Sequence, residues 1–182
     1  MTRLSHEQKL SFLSELETSP SDIDIMLVDT ASGISDTVTY FASAAHENIL
    51  VITPEPTSLA GASALVKVLA SGYGEQQFWV VANTVEDAAE AQQLVAFLWR
   101  TASRYLYVSF QLLGWIPRDP ALPCAVTQQQ LVMKTAPDSP SAQAFTRLAR
   151  RLIGLMVEGA RPKASLQFFF RSVLAASLEE KR

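Results

Sequence analysis

The sequence predicts an α/β protein in which a parallel β-sheet is flanked by helices. Short apolar runs alternate along the chain with longer segments in which apolar residues recur at the spacing of a helix. A strand that is apolar throughout is typical of a parallel sheet covered on both faces. The alternation of such strands with helices is typical of right-handed βαβ units, which build parallel sheets.

The predicted strands are nearly continuous apolar runs that end at a polar or turn-forming residue. They are expected at residues 23–28, 48–53, 78–82 and 110–116. The predicted helices carry an apolar stripe on one side. They are expected at residues 4–17, 36–45, 59–72, 86–105 and 121–134, with a last helix that begins at residue 140.

Several helices have recognisable start signals. Two prolines in the segment TPEPTS exclude regular structure around Glu55, and Thr57 or Ser58 is expected to cap the following helix. The last helix is predicted to begin at Pro140, with Ser139 as its N-cap. The predicted helix at 86–105 has negative charges in its first turns, which complement the helix dipole. They are Glu86, Asp87 and Glu90.

The long helix at 86–105 and the last helix are each expected to bury one apolar stripe. In the helix at 86–105 the stripe is Leu94, Val95, Leu98 and Ala102. In the last helix it is Ala144, Phe145, Leu148, Leu152 and Leu155.

Composition excludes several function classes. The 182 residues are enough for one ordinary domain with a buried core, and their net charge of -3 argues against bulk nucleic-acid binding. Cys124 is the single cysteine, so an internal disulfide is excluded, and a structural zinc site is not expected. No run has the form of a signal peptide or the length of a membrane span, so a cytoplasmic protein is expected.

The end of the first predicted strand offers a candidate site. Asp29 closes the apolar run and is followed by a loop that contains Gly33. Ligands of open α/β sheets collect at the carboxyl ends of strands, where an acid can hold a metal-bound phosphate. Alternatively, Asp29 caps the next turn and Gly33 supplies a positive φ angle.

Several segments, in order, resemble one family. They are DTASGIS, then TPEPTSLAGASALVKVL, then Asn83 after the third strand, LGWIPRD, AVTQQQ and APDSPSAQAF. From residue 4 to about residue 171 the chain resembles the flagellar-number regulators of the FlhG/FleN type, which belong to the MinD/ParA group of deviant Walker P-loop ATPases. The resemblance implies the MinD-like, SIMIBI-class P-loop NTPase fold.

The chain departs from that family in one respect. It contains neither a G-x-x-x-x-G-K-[ST] sequence nor the deviant form, so the loop that cradles the phosphates is missing. The resemblance therefore implies a partial fold: residues 1–158 as the C-terminal part of a MinD-like domain without its phosphate-loop strand, and residues 159–182 as linker and tail. A gap is then expected between the strands at 23–28 and 48–53. Either those strands pair directly, or the edges stay open and favour association.

The resemblance assigns roles to four residues. Asp29 matches the Walker B aspartate, which holds Mg²⁺ through water, and Gly33 matches the switch II glycine that faces the γ-phosphate. Asn83 matches the asparagine that reads the purine base. Pro117 matches the loop on the other side of the base, which here continues into Arg118 and Asp119. The alternatives are a strand-end Asn83 that satisfies a turn and a Pro117 that simply ends a strand.

The family implies a regulator of flagellar number and placement. It would restrain a σ54-dependent, FleQ-like transcription activator and work with an FlhF-like GTPase, without contacting nucleic acid directly. The family cofactors are ATP or ADP with Mg²⁺, but this chain is expected to be deficient in nucleotide binding and inactive alone. The alternative is an ATP-hydrolysing MinD-like ATPase whose phosphate loop lies on upstream sequence. The resemblance leaves open whether the chain forms a homodimer.

The tail resembles the amphipathic membrane-targeting helix that ends such proteins. Its apolar side is Leu166, Phe169, Phe170, Val173 and Leu174. Nearby basic residues suit an anionic membrane surface, which would place the protein peripherally at the inner face of the membrane. Docking back onto the same domain and binding a partner as a helix are the alternatives.

Overall fold

The structure is a computed structural model that describes residues 25–158. The described chain divides into two compact units, residues 25–46 and residues 47–158. The helix predicted at 4–17, the linker at 159–162 and the tail helix lie outside the described residues, as do residues 23 and 24. No helix within residues 25–158 is long and apolar enough to cross a membrane.

The described part of the first unit contains helix α1 (Asp36–Ala44), which confirms the helix predicted at 36–45. The strand predicted at 23–28 is wrong for its described part. Residues 25–30 have no regular secondary structure, and the side chain of Leu27 is 74% exposed. Apolarity alone does not make a strand, because a strand forms only where a neighbour satisfies its backbone groups.

The second unit is built on a parallel sheet of three strands in the order β1 (Ile49–Ile52), β2 (Gln77–Val85) and β3 (Ser109–Pro117). The strands predicted at 78–82 and 110–116 lie within β2 and β3, and the strand predicted at 48–53 is one residue longer than β1 at each end. The sheet and its flanking helices confirm the predicted α/β class. The strand β2 is longer than predicted, and Asn83 lies inside it rather than after it.

Helices α2 (Pro56–Tyr73) and α3 (Ala88–Ala102) connect the strands as crossovers and contact them. The predicted cap of α2 is wrong, since Pro56 occupies the first turn and Thr57 and Ser58 lie inside the helix. Proline suits this position because its φ angle is already helical and its missing N–H has no partner to lose. The Ser58 hydroxyl instead accepts a hydrogen bond from the Thr53 N–H at 3.0 Å.

Helix α3 is shorter than the helix predicted at 86–105, since it begins at Ala88 and ends at Ala102. The Asp87 side chain caps it by accepting a hydrogen bond from the Glu90 N–H at 2.9 Å. The buried residues of α3 include three of the four predicted, with Val95 half-buried beside them. They are Ala91, Leu94, Leu98 and Ala102.

The segment at 121–134 forms two short helices rather than the one predicted, α4 (Ala121–Thr127) and α5 (Val132–Thr135). Gln129, between them, has a φ of 53°, a left-handed conformation that a continuous helix does not accommodate. Both short helices contact their neighbours through a small apolar cluster. Its buried members are Ala125, Val132 and Ala142.

The last helix, α6 (Pro140–Glu158), begins as predicted. The Ser139 hydroxyl accepts a hydrogen bond from the Ala142 N–H at 3.2 Å, as an N-cap does. The predicted stripe is confirmed, because all five residues belong to the cluster that joins α6 to the sheet. Its buried strand residues are Val81, Leu113 and Ile116.

Candidate functional site at the carboxyl edge of the sheet

The carboxyl ends of the three strands form one edge of the second unit. Thr53 follows β1, and the register pairs Asn83 of β2 with Ile116 and Val85 with Pro117 of β3. Two of the four predicted site residues, Asn83 and Pro117, therefore lie at the ends of neighbouring strands. This edge is where open α/β sheets bind ligands.

The other two predicted site residues belong to the first unit. Asp29 is exposed and lies in the irregular segment before α1. Gly33 has a φ of 106°, as the turn alternative for this glycine requires. Within residues 25–158, no group of three or more His, Cys, Asp or Glu side chains is arranged to hold a metal ion.

Asn83 is half-buried and incompletely hydrogen-bonded. Its Oδ1 atom is buried, and among the described residues it has no hydrogen-bond partner. An asparagine that closes a turn by itself would use this oxygen to accept a backbone N–H, and Asn83 does not. Thr53, at the end of the adjacent strand, also has a buried hydroxyl oxygen without a partner in the described chain.

The backbone next to Asn83 is strained. Thr84 has a φ of 60°, which is a genuine outlier for a β-branched residue. The register between β2 and β3 shifts at this point, and pairing continues with a hydrogen bond of 2.8 Å from the Arg118 N–H to the Val85 carbonyl. A bulge of this kind redirects side chains at the end of a strand, and such strain is concentrated at functional sites.

The rim of the edge carries an exposed ion pair. Arg118 Nε lies 3.4 Å from Glu86 Oε1, and the two side chains are 63% and 67% exposed. Glu90, one turn into α3, accepts the Glu86 N–H at 2.6 Å. An exposed ion pair of this kind contributes little to stability.

Asp119, which the sequence places in the loop beside the base, has a structural role here. Its Oδ2 accepts hydrogen bonds from the Ser141 hydroxyl at 2.7 Å and from the Ser141 N–H at 2.9 Å, and its Oδ1 accepts the Ala121 N–H at 2.9 Å. The hydrogen bonds from Ser141 and Ala121 lower the pKa of Asp119. Its carboxylate therefore accepts hydrogen bonds from the first turns of α4 and α6.

Sequence reasoning missed Thr53 and Ser141. Ser141 is completely buried, yet it lies one residue after the recognised Ser139–Pro140 start signal. Thr53 belongs to the predicted strand at 48–53 and to the segment TPEPTS, but the sequence assigns it no role in a site. A hydroxyl residue at the carboxyl end of a buried strand is the signal that could have identified Thr53 as part of this edge.

Comparison with known proteins gives three informative relatives. The chain is 35% identical over 169 residues to the antiactivator FleN of Pseudomonas aeruginosa, covering 93% of this chain and 60% of FleN. It is 27% identical over 157 residues to the flagellum site-determining protein YlxH of Helicobacter pylori, covering 85% of this chain and 53% of YlxH. It is 26% identical over 152 residues to the septum site-determining protein MinD of H. pylori, covering 82% of this chain and 56% of MinD.

The chain thus spans between about half and three fifths of the length of these relatives. No protein-family model matches it. The similarity nevertheless extends over most of the chain and is greater for the two flagellar proteins than for MinD. Together with the parallel α/β sheet, it identifies the chain as a relative of the MinD/ParA-type proteins, of the flagellar FlhG/FleN kind.

Proposed function

We propose that the protein regulates the number and placement of flagella by restraining a flagellar transcription activator. The observation that carries this is the 35% identity to the antiactivator FleN over 93% of the chain. The likeness to a flagellum site-determining protein supports the same role. An FlhF-like GTPase and a second copy of the chain are further partners under this proposal.

An adenine nucleotide is the ligand that best suits the carboxyl edge of the sheet. The unpartnered Oδ1 of Asn83 can accept the amino group of the base, while Pro117 on the neighbouring strand lines its other side. Another relative, 24% identical, is described as an ATP-binding protein. From the family resemblance alone, Asp29 in the first unit is proposed as a Walker B aspartate for water-bound Mg²⁺ and Gly33 as the switch II glycine.

Nucleotide binding by this chain alone should be weak. The sequence has no phosphate loop, and phosphoryl transfer depends on the positioning and charge that such a loop and its lysine provide. We therefore propose that the 182-residue chain acts through its partner surfaces rather than by hydrolysing ATP.

A test in cells uses P. aeruginosa from which FleN has been removed. Expression of this chain should lower the number of flagella per cell, counted by electron microscopy, and lower transcription from activator-dependent flagellar promoters. The matched control is the chain carrying Gly114→Ala, a substitution that disturbs the packing of the last helix on the sheet because the added Cβ meets Leu148. Flagellar number that stays unchanged while the chain accumulates to the level of FleN would contradict the proposal.

The second candidate is an ATP-hydrolysing MinD-like ATPase completed by upstream sequence. The Asn83 Oδ1 atom, which has no hydrogen-bond partner in the described chain, favours this second candidate, because an asparagine that contacts a base needs a bound nucleotide. The coding sequence upstream of Met1 tests it: an in-frame phosphate loop there, with ATP hydrolysis abolished by Asp29→Ala in the longer protein, would establish it. A stop codon directly upstream would exclude that phosphate loop.

The tail adds a proposal about location. Residues 164–178, which lie outside the described residues, carry phenylalanines and nearby basic side chains suited to an anionic bilayer. Co-sedimentation with vesicles containing phosphatidylglycerol should be reduced by Phe169→Ser with Phe170→Ser. Equal sedimentation of both chains would favour docking of the tail onto the protein itself.

A further inference from the structure

Two polar residues lie at the carboxyl edge of the sheet, one after β1 and one near the end of β2. The register pairs Ile52 with Ala82, and Thr53 and Asn83 are the residues that directly follow this last pair. Neighbouring strands are about 4.8 Å apart, and laterally adjacent side chains point to the same face. A continuation of this register by one residue would put the Thr53 side chain beside that of Asn83.

Neither side chain uses its oxygen within the described chain. The Thr53 Oγ1 and the Asn83 Oδ1 are both buried, and neither makes a hydrogen bond to the other or to any other described residue. Buried polar atoms are nearly always hydrogen-bonded, because an unmet hydrogen bond in the interior destabilises the fold. The Asn48 Nδ2 atom before β1 is likewise buried without a partner in the described chain, but Thr53 Oγ1 and Asn83 Oδ1 lie at the edge where a bound group can supply the partner.

The position of Thr53 is fixed independently of its hydroxyl. Its backbone N–H donates to the Ser58 hydroxyl at 3.0 Å, which anchors the end of β1 to the first turn of α2. The hydroxyl is therefore not needed to hold the turn. On the other strand, Thr84 directly follows Asn83 and has a left-handed backbone conformation that a threonine rarely adopts.

We propose that Thr53 contacts the purine base together with Asn83, an inference that rests on the nucleotide site proposed above. The Asn83 Oδ1 accepts a hydrogen bond from the exocyclic amino group of adenine, and the Thr53 hydroxyl donates to a neighbouring ring nitrogen. This pair of contacts favours adenine over hypoxanthine, which carries a carbonyl group in place of the amino group. Thr53 is thus a specificity-determining residue of the site.

The test uses the full chain and a probe without phosphates, so that the missing phosphate loop does not matter. Adenosine and inosine are titrated into the isotope-labelled protein, and dissociation constants are obtained from amide chemical shifts. The variants are Thr53→Val, which keeps the shape but removes the hydroxyl, and Thr53→Ser, which keeps the hydroxyl. Thr101→Val on the exposed side of α3 is the matched control.

The inference expects wild type to bind adenosine more tightly than inosine. Thr53→Val should weaken adenosine binding by about threefold to tenfold, the effect of one hydrogen bond, without lowering the melting temperature of the ligand-free protein. Thr53→Ser and Thr101→Val should bind like wild type.

Two results would overturn the inference, and they are distinguishable. If Asn83→Ala abolishes adenosine binding while Thr53→Val binds as tightly as wild type, the base site stands and Thr53 has no part in it. If the folded wild-type chain shows no saturable shift with adenosine, the base site itself is wrong, and the role of Thr53 falls with it.

Discussion

The carboxylate of Asp119 accepts hydrogen bonds from both the hydroxyl and the backbone N–H of Ser141, at 2.7 and 2.9 Å. This contact joins the loop after β3 to the first turn of α6, the helix that packs on the sheet beside β3. A negative charge at this place also complements the positive end of the helix dipole. The loop that follows Pro117 and begins with Arg118 is held in place by this contact.

Stability should therefore depend on the charge of Asp119 in acid. These hydrogen bonds lower its pKa in the folded state. A group with a lowered folded-state pKa contributes stability that is present above its unfolded value, about 4, and is lost as pH falls through the folded value. We expect melting temperatures to fall below about pH 4 more steeply in wild type than in Asp119→Asn.

The control for this prediction is Asp138→Asn, a neighbouring exposed carboxylate, which should keep the acid slope of wild type. Ser141→Ala removes the hydroxyl donor but keeps the N–H, so its slope should be intermediate. Identical acid slopes in wild type and Asp119→Asn would show that the carboxylate does not hold the helix.

Gly114 allows α6 to approach the sheet. A Cβ atom at this position would lie 2.6 Å from Leu148 Cδ2, well inside van der Waals contact. Gly114→Ala should lower the free energy of unfolding by about 1 to 3 kcal/mol in urea titrations. The substitution should cost less in a Leu148→Ala background, because the side chain it collides with is then absent.

Gly154, on the same helix α6, is the matched control. A Cβ there meets no atom within 4 Å. Gly154→Ala should raise the free energy of unfolding by about 0.5 to 1 kcal/mol, since alanine loses less conformational freedom in a helix. If both alanine variants shifted stability in the same direction, the close approach of Leu148 to Gly114 would be discounted.

The backbone conformation of Thr84 should lower the free energy of unfolding. Its φ of 60° suits asparagine or glycine far better than a β-branched residue. Thr84→Asn is expected to raise the free energy of unfolding by about 0.5 to 1 kcal/mol. Thr127→Asn, at an exposed helical position, should not stabilise the protein. A destabilised Thr84→Asn variant would indicate that the threonine side chain itself supports the bulge.

The sequence was informative where structure is local. The apolar runs at 48–53, 78–82 and 110–116 are strands, and Ser139 with Pro140 starts the last helix, because strand propensity and helix capping act within a few residues. The position of Asn83 and Pro117 at one edge also followed from the sequence, since parallel strands end together.

What the sequence did not predict depends on partners far along the chain. The bond from Asp119 to Ser141 spans 22 residues, and the bulge at Thr84 arises from the register with β3. The apolar run at 23–28 was misread because an isolated run does not reveal whether a neighbouring strand is present to pair with it. The orphaned oxygens of Thr53 and Asn83 become visible only when the strands are aligned.

Direct binding to the activator tests the central claim most directly. The purified chain should be titrated by calorimetry with the σ54-dependent flagellar activator of the same organism, and the mixture assayed for activator-dependent transcription in vitro. A relative of FleN that works as proposed should give saturable binding at a fixed stoichiometry and should lower transcription over the same concentration range. A folded chain that neither binds the activator nor changes transcription would contradict the account.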